Sequence, residues 1–294
     1  MTDTPLRFTC VIPTHGRPHL LGDALRSVLT QTDADQLLGA VVVVIDDGDP
    51  NSRALVEQFA SDYPDIDVRA VASDRLPRGA AQSRNVGAAA AADPYIAFLD
   101  DDDLWLPDHL AQSAAVLRGD PAGAAAVVSS RRTENERGEV TAQPTLDRDL
   151  VSVDHAYTAG SVVTGSNLVI SRRAFDELGG YDVALPVMND TDFFVRMLQA
   201  GFAPLISPEV SVVMRIHSGD QLTRPNERRA RGMRVFYEKH RQSMTPAQRR
   251  SFRYRMLGMH RLSAPSPVQR AYYALLQLTN VQPARIARRF GAAR

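Results

Sequence analysis

The chain has 294 residues, 44% of them apolar and 23% charged, with one cysteine and a formal net charge of zero. That length suits one large domain or two small ones, and the composition is globular rather than disordered or fibrous. A lone Cys10 excludes an internal disulfide framework and a cysteine-cluster metal site. No run of about 18 apolar residues is present to cross a bilayer. The opening Met1-Thr2-Asp3-Thr4-Pro5 lacks the basic stretch and apolar core of a secretory signal, so a cytoplasmic protein is expected.

The neutral balance conceals an asymmetry. Residues 224–294 carry 17 basic and 2 acidic residues, and residues 1–223 the complementary 17 basic and 32 acidic ones. Lys239 is the only lysine, so a mechanism needing a phosphate-binding lysine has one poorly placed candidate.

In chain order, Phe8 to Ile12 is β-rich and stops at Pro13. Pro18 to Thr30 places Leu21, Leu25, Val28 and Leu29 on one helical face. Val41 to Ile45 is a continuous apolar run, the pattern of a strand buried on both faces. Ser52 to Ala60 reads as a second helix, Val68 to Ala72 as a third strand and the alanine-rich Ala80 to Ala92 as a third helix. Tyr95 to Leu99 is a fourth strand, ending in Asp100. This alternation predicts an α/β fold with a mostly parallel sheet, in which the ligand crevice lies at the carboxyl ends of the strands.

The middle of the chain is mixed. Pro107 to Gly119 reads as a helix, Ala124 to Ser130 as a strand, Asn135 to Gly138 as a turn, and Val162 to Ile170 alternates around Gly165-Ser166-Asn167. Asp190 to Ala200 is an amphipathic helix, and Val210 to Ile216 is strand-like. From Pro225 onward helices dominate, broken near Pro246, Pro265-Ser266-Pro267 and Pro283. The predicted organisation is therefore 1–105, 106–223 and a basic helical extension at 224–294.

The chemistry concentrates in two acidic clusters at strand carboxyl ends. Asp100-Asp101-Asp102-Asp103 sets four carboxylates side by side. At ~5 Å and an effective dielectric of ~20, each contact costs roughly 3 kcal/mol. A divalent cation reverses that penalty, and oxygen-only ligands suit Mg²⁺ or Mn²⁺. The alternative is a solvated acidic turn before the next helix. Asp46-Asp47 follows the second strand, where a carboxylate can accept from a ribose or a base edge, or else cap the following helix.

Four further segments accompany these clusters: Val11-Ile12-Pro13-Thr14-His15-Gly16-Arg17-Pro18, Ser83-Arg84-Asn85-Val86-Gly87, Gly179-Gly180-Tyr181-Asp182, and Asn189-Asp190-Thr191-Asp192-Phe193 with Arg196. In this set and order, over about residues 8–220, the chain resembles the inverting nucleotide-sugar glycosyltransferases of family 2, which have the Rossmann-like GT-A fold. The resemblance implies a divalent-metal-dependent glycosyl transfer, in polysaccharide or glycoconjugate biosynthesis, from a UDP-, GDP- or dTDP-sugar to a glycan, lipid-linked or small-molecule acceptor. By the same resemblance, Pro13, Thr14, Arg17, Asp46, Asp47, and Arg78 or Arg84 hold the nucleotide. Asp102, helped by Asp100 and Asp101, binds Mn²⁺ or Mg²⁺, and Asp190 is the catalytic base.

Several positions carry two readings. Asp190 also suits the first turn of a helix, favoured by the macrodipole, and the family's glutamate before it is replaced by Asn189. Asp192 is the second candidate base, although two residues along it cannot share a helical face with Asp190. His217, after a strand, is either a metal ligand or a plain loop histidine. Trp105 either stacks on a sugar or packs beneath the helix from Pro107, and Gly165-Ser166-Asn167 is a candidate lining of the acceptor side. His15 and His19 have metal-like spacing, but Gly16 and Pro18 break any helix between them, which removes that pair.

The basic extension mixes arginine with aromatic and aliphatic residues, as in Arg249-Arg250-Ser251-Phe252-Arg253-Tyr254-Arg255-Met256-Leu257. That composition suits docking on the acidic body or an interfacial helix on an anionic membrane, peripheral on its inner face. A nucleic-acid partner is not expected, because nothing else in the chain resembles a reader module. A sugar-nucleotide nucleotidyltransferase is disfavoured by the loop after the first strand, which lacks that class's glycines and lysine. A non-catalytic nucleotide-sugar or glycan binder of the same fold is the remaining alternative.

Overall fold

The computed structural model describes residues 6–73, 79–120, 123–216 and 226–281. The elements in chain order begin with β1 (Phe8–Thr14), α1 (Pro18–Leu29), α2 (Ala34–Leu37), β2 (Leu38–Ile45), α3 (Pro50–Asp62) and β3 (Asp67–Ala72). Next come α4 (Ala80–Ala90), β4 (Tyr95–Phe98), β5 (Asp103–Trp105), α5 (His109–Arg118), β6 (Ala126–Glu134) and β7 (Val140–Ala142). They continue with α6 (Val153–Thr158), a 3-10 turn at Gly165–Asn167, β8 (Leu168–Ser171), α7 (Arg172–Glu177), α8 (Asn189–Gln199) and β9 (Leu205–Arg215). Three helices close the described chain: α9 (Glu227–His240), α10 (Pro246–Ser263) and α11 (Pro267–Leu278).

One sheet runs through the body in the order β3-β2-β1-β4-β8-β6-β9-β5, with β7 paired to β6. The first four strands are parallel, as the alternation of apolar runs and helices predicts. Beyond β4 the sheet is mixed: β8 inserts antiparallel between β4 and β6, β9 runs parallel to β6, and β5 returns antiparallel on β9. The stretch expected to alternate from Val162 to Ile170 is split, because Gly165–Asn167 forms a tight turn and only Leu168–Ser171 enters the sheet.

The period of two in β1 and β2 builds a core on each face. Val11, Val42 and Val44 pack with Phe98, Phe193 and Phe194 on one side. Cys10, Ile12, Val41 and Val43 pack with Leu21, Leu25 and Val28 of α1 on the other. Gly87 lets α4 lie against the sheet, since a Cβ there would stand 2.2 Å from Val11 Cγ1.

The sheet opens where function is expected. Leu99 N donates to Val11 O, but the β1–β4 ladder ends there, while β1 continues along β2 to Thr14. Pro13 has the same parity as Val11, so the N–H it lacks falls on the side where β4 has turned away. The acidic turn that follows β4 leaves the sheet at this opening, while Asp46 and Asp47 follow β2 on the other side of β1.

Candidate active site

The acidic turn after β4 sends its four carboxylates in different directions. Asp101 is buried, 2.6 Å from Arg17 Nη2, and accepts from Thr14 Oγ1 at 2.7 Å. Burial pushes its carboxyl up to about 7, opposed by Arg17 and the Thr14 hydroxyl. Asp103 also turns inward, accepting from Ser166 Oγ at 2.5 Å and from Arg215 N at 3.2 Å, and burial raises its carboxyl well above the ordinary range. Asp100 and Asp102 keep 30% and 20% of their side chains exposed and face the crevice. Asp102 Oδ2 lies 3.0 Å from Arg17 Nη1. Burial alone would lower the Arg17 guanidinium, but Asp101, Asp102 and Asp100 reverse this and leave it raised.

This layout offers a candidate cation site. Oxygens of Asp100, Asp102 and Asp103 lie within 4.8 Å of one another, an all-carboxylate set of the kind hard divalent cations take. The structure groups Asp103, rather than Asp101, with Asp100 and Asp102. Pairing with Thr14 and Arg17 turns Asp101 towards β1 instead.

The second cluster is tied to β1. Asp46 Oδ1 stands 2.6 Å from His15 Nδ1, and Asp47 Oδ1 accepts from Asp49 N at 3.1 Å. Neither carboxylate caps α3. Asp49 does so, accepting from Asn51 N and Ser52 N. Asp47 keeps 22% of its side chain exposed. His15, removed in the sequence as a partner of His19, meets the β2 carboxylates across the parallel strand pair.

Arg84 is the residue around which the rest converges. It is 2% exposed, and Tyr181 lies under its guanidinium at 5.2 Å. Nη2 reaches Asp100 Oδ1 at 2.5 Å, and Nη1 reaches Asp190 Oδ1 at 3.1 Å and Asn189 Oδ1 at 3.2 Å. Burial would lower this guanidinium, but Asp100 and Asp190 reverse the effect and raise it. A third carboxylate is not needed here, because the Asn189 amide oxygen takes an Arg84 hydrogen bond without adding charge. Gly165 makes room for the arrangement: a Cβ there would stand 2.6 Å from Arg84 Nη2.

Asp190 is in the first turn of α8, with 27% of its side chain exposed. Met188 before it holds φ of 63°, a left-handed backbone uncommon outside glycine and concentrated at functional sites. Burial raises the Asp190 carboxyl, Arg84 opposes this and Asp100 adds to it. A carboxylate raised in this way is a better proton acceptor than an ordinary one.

Asp192 has a different surrounding. It is fully buried and accepts from Arg196 Nε at 2.8 Å and His240 Nε2 at 2.8 Å, with Lys239 Nζ 2.7 Å away. Burial acts to raise its carboxyl, and these three donors override it and hold the group at about 2. The chain's one lysine therefore fastens α9 to α8. Arg196 also donates to the carbonyls of Leu178 and Gly180, while the Asn85 amide exchanges two 2.8 Å hydrogen bonds with the Tyr181 backbone. These contacts hold the Gly179-Gly180-Tyr181-Asp182 loop against α4 and α8.

Two other expected positions are buried. Trp105 is 3% exposed, stacks on His109 at 4.3 Å and donates from Nε1 to Ser166 O, which is the packing reading. Gly165, Ser166 and Asn167 are buried. Ser166 Oγ accepts from Asp100 N and donates to Asp103, and Asn167 donates to Ser129 O, so this turn braces the acidic cluster from behind. Arg78 and His217 lie outside the described residues. The resemblance assigned no role to Asp103, which the structure groups with Asp100 and Asp102, and no joining role to Arg84, and neither has a local signal.

Comparison with known proteins agrees with this geometry. Residues 9–179 match Glycosyl transferase family 2, and residues 95–285 match Glycosyl transferase family group 2. An uncharacterized glycosyltransferase from Haemophilus influenzae is 27% identical over 194 residues, covering 65% of this chain. The alignment spans 62% of that protein's own length. The succinoglycan biosynthesis protein ExoM from Rhizobium meliloti is 29% identical over 221 residues, 72% of this chain and 68% of that one. Among solved structures, the mannosyltransferase PcManGT from Pyrobaculum calidifontis, in complex with GDP-Man and Mn²⁺, superposes with a TM-score of 0.64. It is 21% identical, over 98% of this chain and 79% of that one, and shares the fold. With more than half of its length matched and the GT-A-like mixed sheet in place, the chain belongs to glycosyl transferase family 2.

Proposed function

We propose that the chain is an inverting glycosyltransferase, moving a sugar from a nucleoside diphosphate to an acceptor hydroxyl with Asp190 as general base. The observation that carries this reading is one guanidinium, Arg84, shared by Asp100 of the acidic turn and Asp190 of α8. It brings a cation-binding carboxylate and a proton-accepting carboxylate to one crevice although 90 residues separate them in sequence.

In this reading residues 1–105 hold the nucleotide and residues 106–223 the acceptor. Asp47 and the end of β1 at Pro13 and Thr14 receive the nucleoside, with Asp46 held in place by His15 and Arg17 held beside Asp101 and Asp102. Arg78 belongs to the same proposal. Asp100 and Asp102, with Asp103 behind them, would hold Mn²⁺ or Mg²⁺, whose chemistry is to neutralise charge on the diphosphate leaving group. Asp190 Oδ accepts the proton of the acceptor hydroxyl as its oxygen attacks the anomeric carbon from the face opposite the diphosphate, so configuration inverts. Arg84 keeps Asp190 oriented and ionised. The complex of PcManGT with GDP-Man and Mn²⁺ supports a nucleotide sugar and a divalent ion as ligands. ExoM supports an acceptor in polysaccharide assembly.

The test is a panel of UDP-, GDP- and dTDP-sugars with Mn²⁺ and glycan or lipid-linked acceptors, reading nucleoside diphosphate release and product configuration by NMR. Metal-dependent release with inverted product is expected. Binding of a nucleotide sugar with no release across the panel would make the chain a non-catalytic binder, and a retained configuration would remove Asp190 from the role of base.

A further inference from the structure

The last hairpin carries an apolar face that the body leaves uncovered. No residue of α11 is buried, although the helix is amphipathic. Val268, Tyr272, Leu275 and Leu278 are 79%, 57%, 66% and 67% exposed, and their spacing puts them on one side of the helix. Single exposed apolar residues are ordinary, whereas a continuous stripe marks an interaction surface.

Arginines bracket the stripe. Beside its C-terminal end, Arg249, Arg250 and Arg253 of α10 line a hollow of about 380 Å³ with Thr279 and Asn280. Thr279 stands eleven residues after Val268, three helical turns along the same face, so hollow and stripe adjoin. Beside the N-terminal end, Arg261 and Arg270 line a second hollow of about 440 Å³ with Leu262, itself 59% exposed. Among the described residues no carboxylate pairs with these five arginines. Arg249 and Arg270 reach only the backbone carbonyls of Met244 and Ala264.

We propose that α11 lies in the headgroup region of an anionic phospholipid bilayer, its apolar stripe between acyl chains and the two arginine hollows on lipid phosphates. The net charge of +15 over residues 224–294 supplies the complementarity. Contact with the acidic body is made by α9 through Lys239 and His240, and by α10 through Gln248, Ser251 and Phe252, which leaves the stripe of α11 exposed. A second copy of the same face would set arginine against arginine. The inference does not rest on the catalytic reading, since an Asp190→Asn protein should bind vesicles as the parent does.

The experiment is flotation of the full chain with vesicles of phosphatidylcholine alone and with phosphatidylglycerol added. Two variants accompany it, Val268→Asp with Leu275→Asp and Arg250→Glu with Arg253→Glu, and melting curves establish that each is folded. Leu275→Gln and Arg253→Gln serve if either pair fails to fold. Binding to anionic vesicles should exceed binding to neutral ones by about tenfold or more, and each variant should lose about tenfold. Unchanged binding by the aspartate variant, equal binding to neutral vesicles, or no binding would overturn the proposal. So would a concentration-dependent dimer lost on Leu275→Asp, or tighter binding to a single-stranded RNA than to the anionic vesicles.

Discussion

Arg84 stands 3.1 Å from Asp190, with the other arm of its guanidinium 2.5 Å from Asp100. Asp190 and the acidic turn are therefore held at a fixed separation by a buried guanidinium rather than by the backbone. A guanidinium suits this because its planar fork presents donors in two directions at once.

Arg84→Gln should lower both stability and turnover. Removing one partner of a buried ion pair costs about 3–5 kcal/mol, and the partial exposure of both carboxylates brings the expectation to about 2–3 kcal/mol. Urea denaturation measures it, and a loss under about 0.5 kcal/mol would show that the two carboxylates do not need the bridge.

Asp190→Asn should leave the fold intact and remove the proton acceptor. Turnover is expected to fall about 10²–10⁴-fold, the usual contribution of general-base catalysis, with donor affinity within about threefold of the parent. Nucleoside diphosphate release and a nucleotide-sugar titration separate the two effects. Full activity would eliminate Asp190 as the base.

Asp192→Asn should act on the clasp between α8 and α9. Three cationic or polar donors would face an amide, a loss of about 2–4 kcal/mol at neutral pH. The Asp192 carboxyl sits at about 2, below its ordinary 3.8, so its contribution is present above 3.8 and is lost as pH falls towards 2. The gap between parent and variant should close over that window, and amide exchange in α9 should quicken in the variant at pH 7.

His109 makes the structure acid-sensitive in a different range. Burial holds its imidazole at about 3, against an ordinary 6.5, with Nδ1 2.9 Å from Ser211 Oγ. The unfolded chain takes up this proton below 6.5 and the folded chain only below about 3. Stability therefore falls as pH drops from 6.5 to 3, by an amount on the order of 4–5 kcal/mol. A His109→Gln variant should show a flatter stability profile across those pH values, and a parallel profile would exclude the histidine as the cause.

What could be read from the sequence were features with local causes. Val41–Ile45 is apolar without interruption because β2 is covered on both faces, and the four aspartates mark the end of β4, where the sheet opens. The antiparallel insertion of β8 was hidden, since its short apolar run pairs with residues 40 or more positions away and nothing local sets its direction. Asp101 and Asp103 were indistinguishable from Asp100 and Asp102, because inward or outward aim depends on Thr14, Arg17 and Ser166 arriving from elsewhere. The motif residues Asn85, Asp192 and Arg196 signalled the family correctly, although in the structure they join loops and helices to one another. The bare stripe of α11 was also illegible, because an amphipathic pattern does not say whether its apolar side finds a neighbour.

The clasp built on Lys239 has a practical consequence. Its ammonium is the chain's only side-chain amine, and it is engaged by Asp182 and Asp192. An acylating reagent applied to the native protein would meet it slowly, and faster once α9 lifts from α8. The rate of acylation at Lys239, followed by peptide mass spectrometry so that the N-terminal amine is counted apart, would report the opening of this seam without any engineered label.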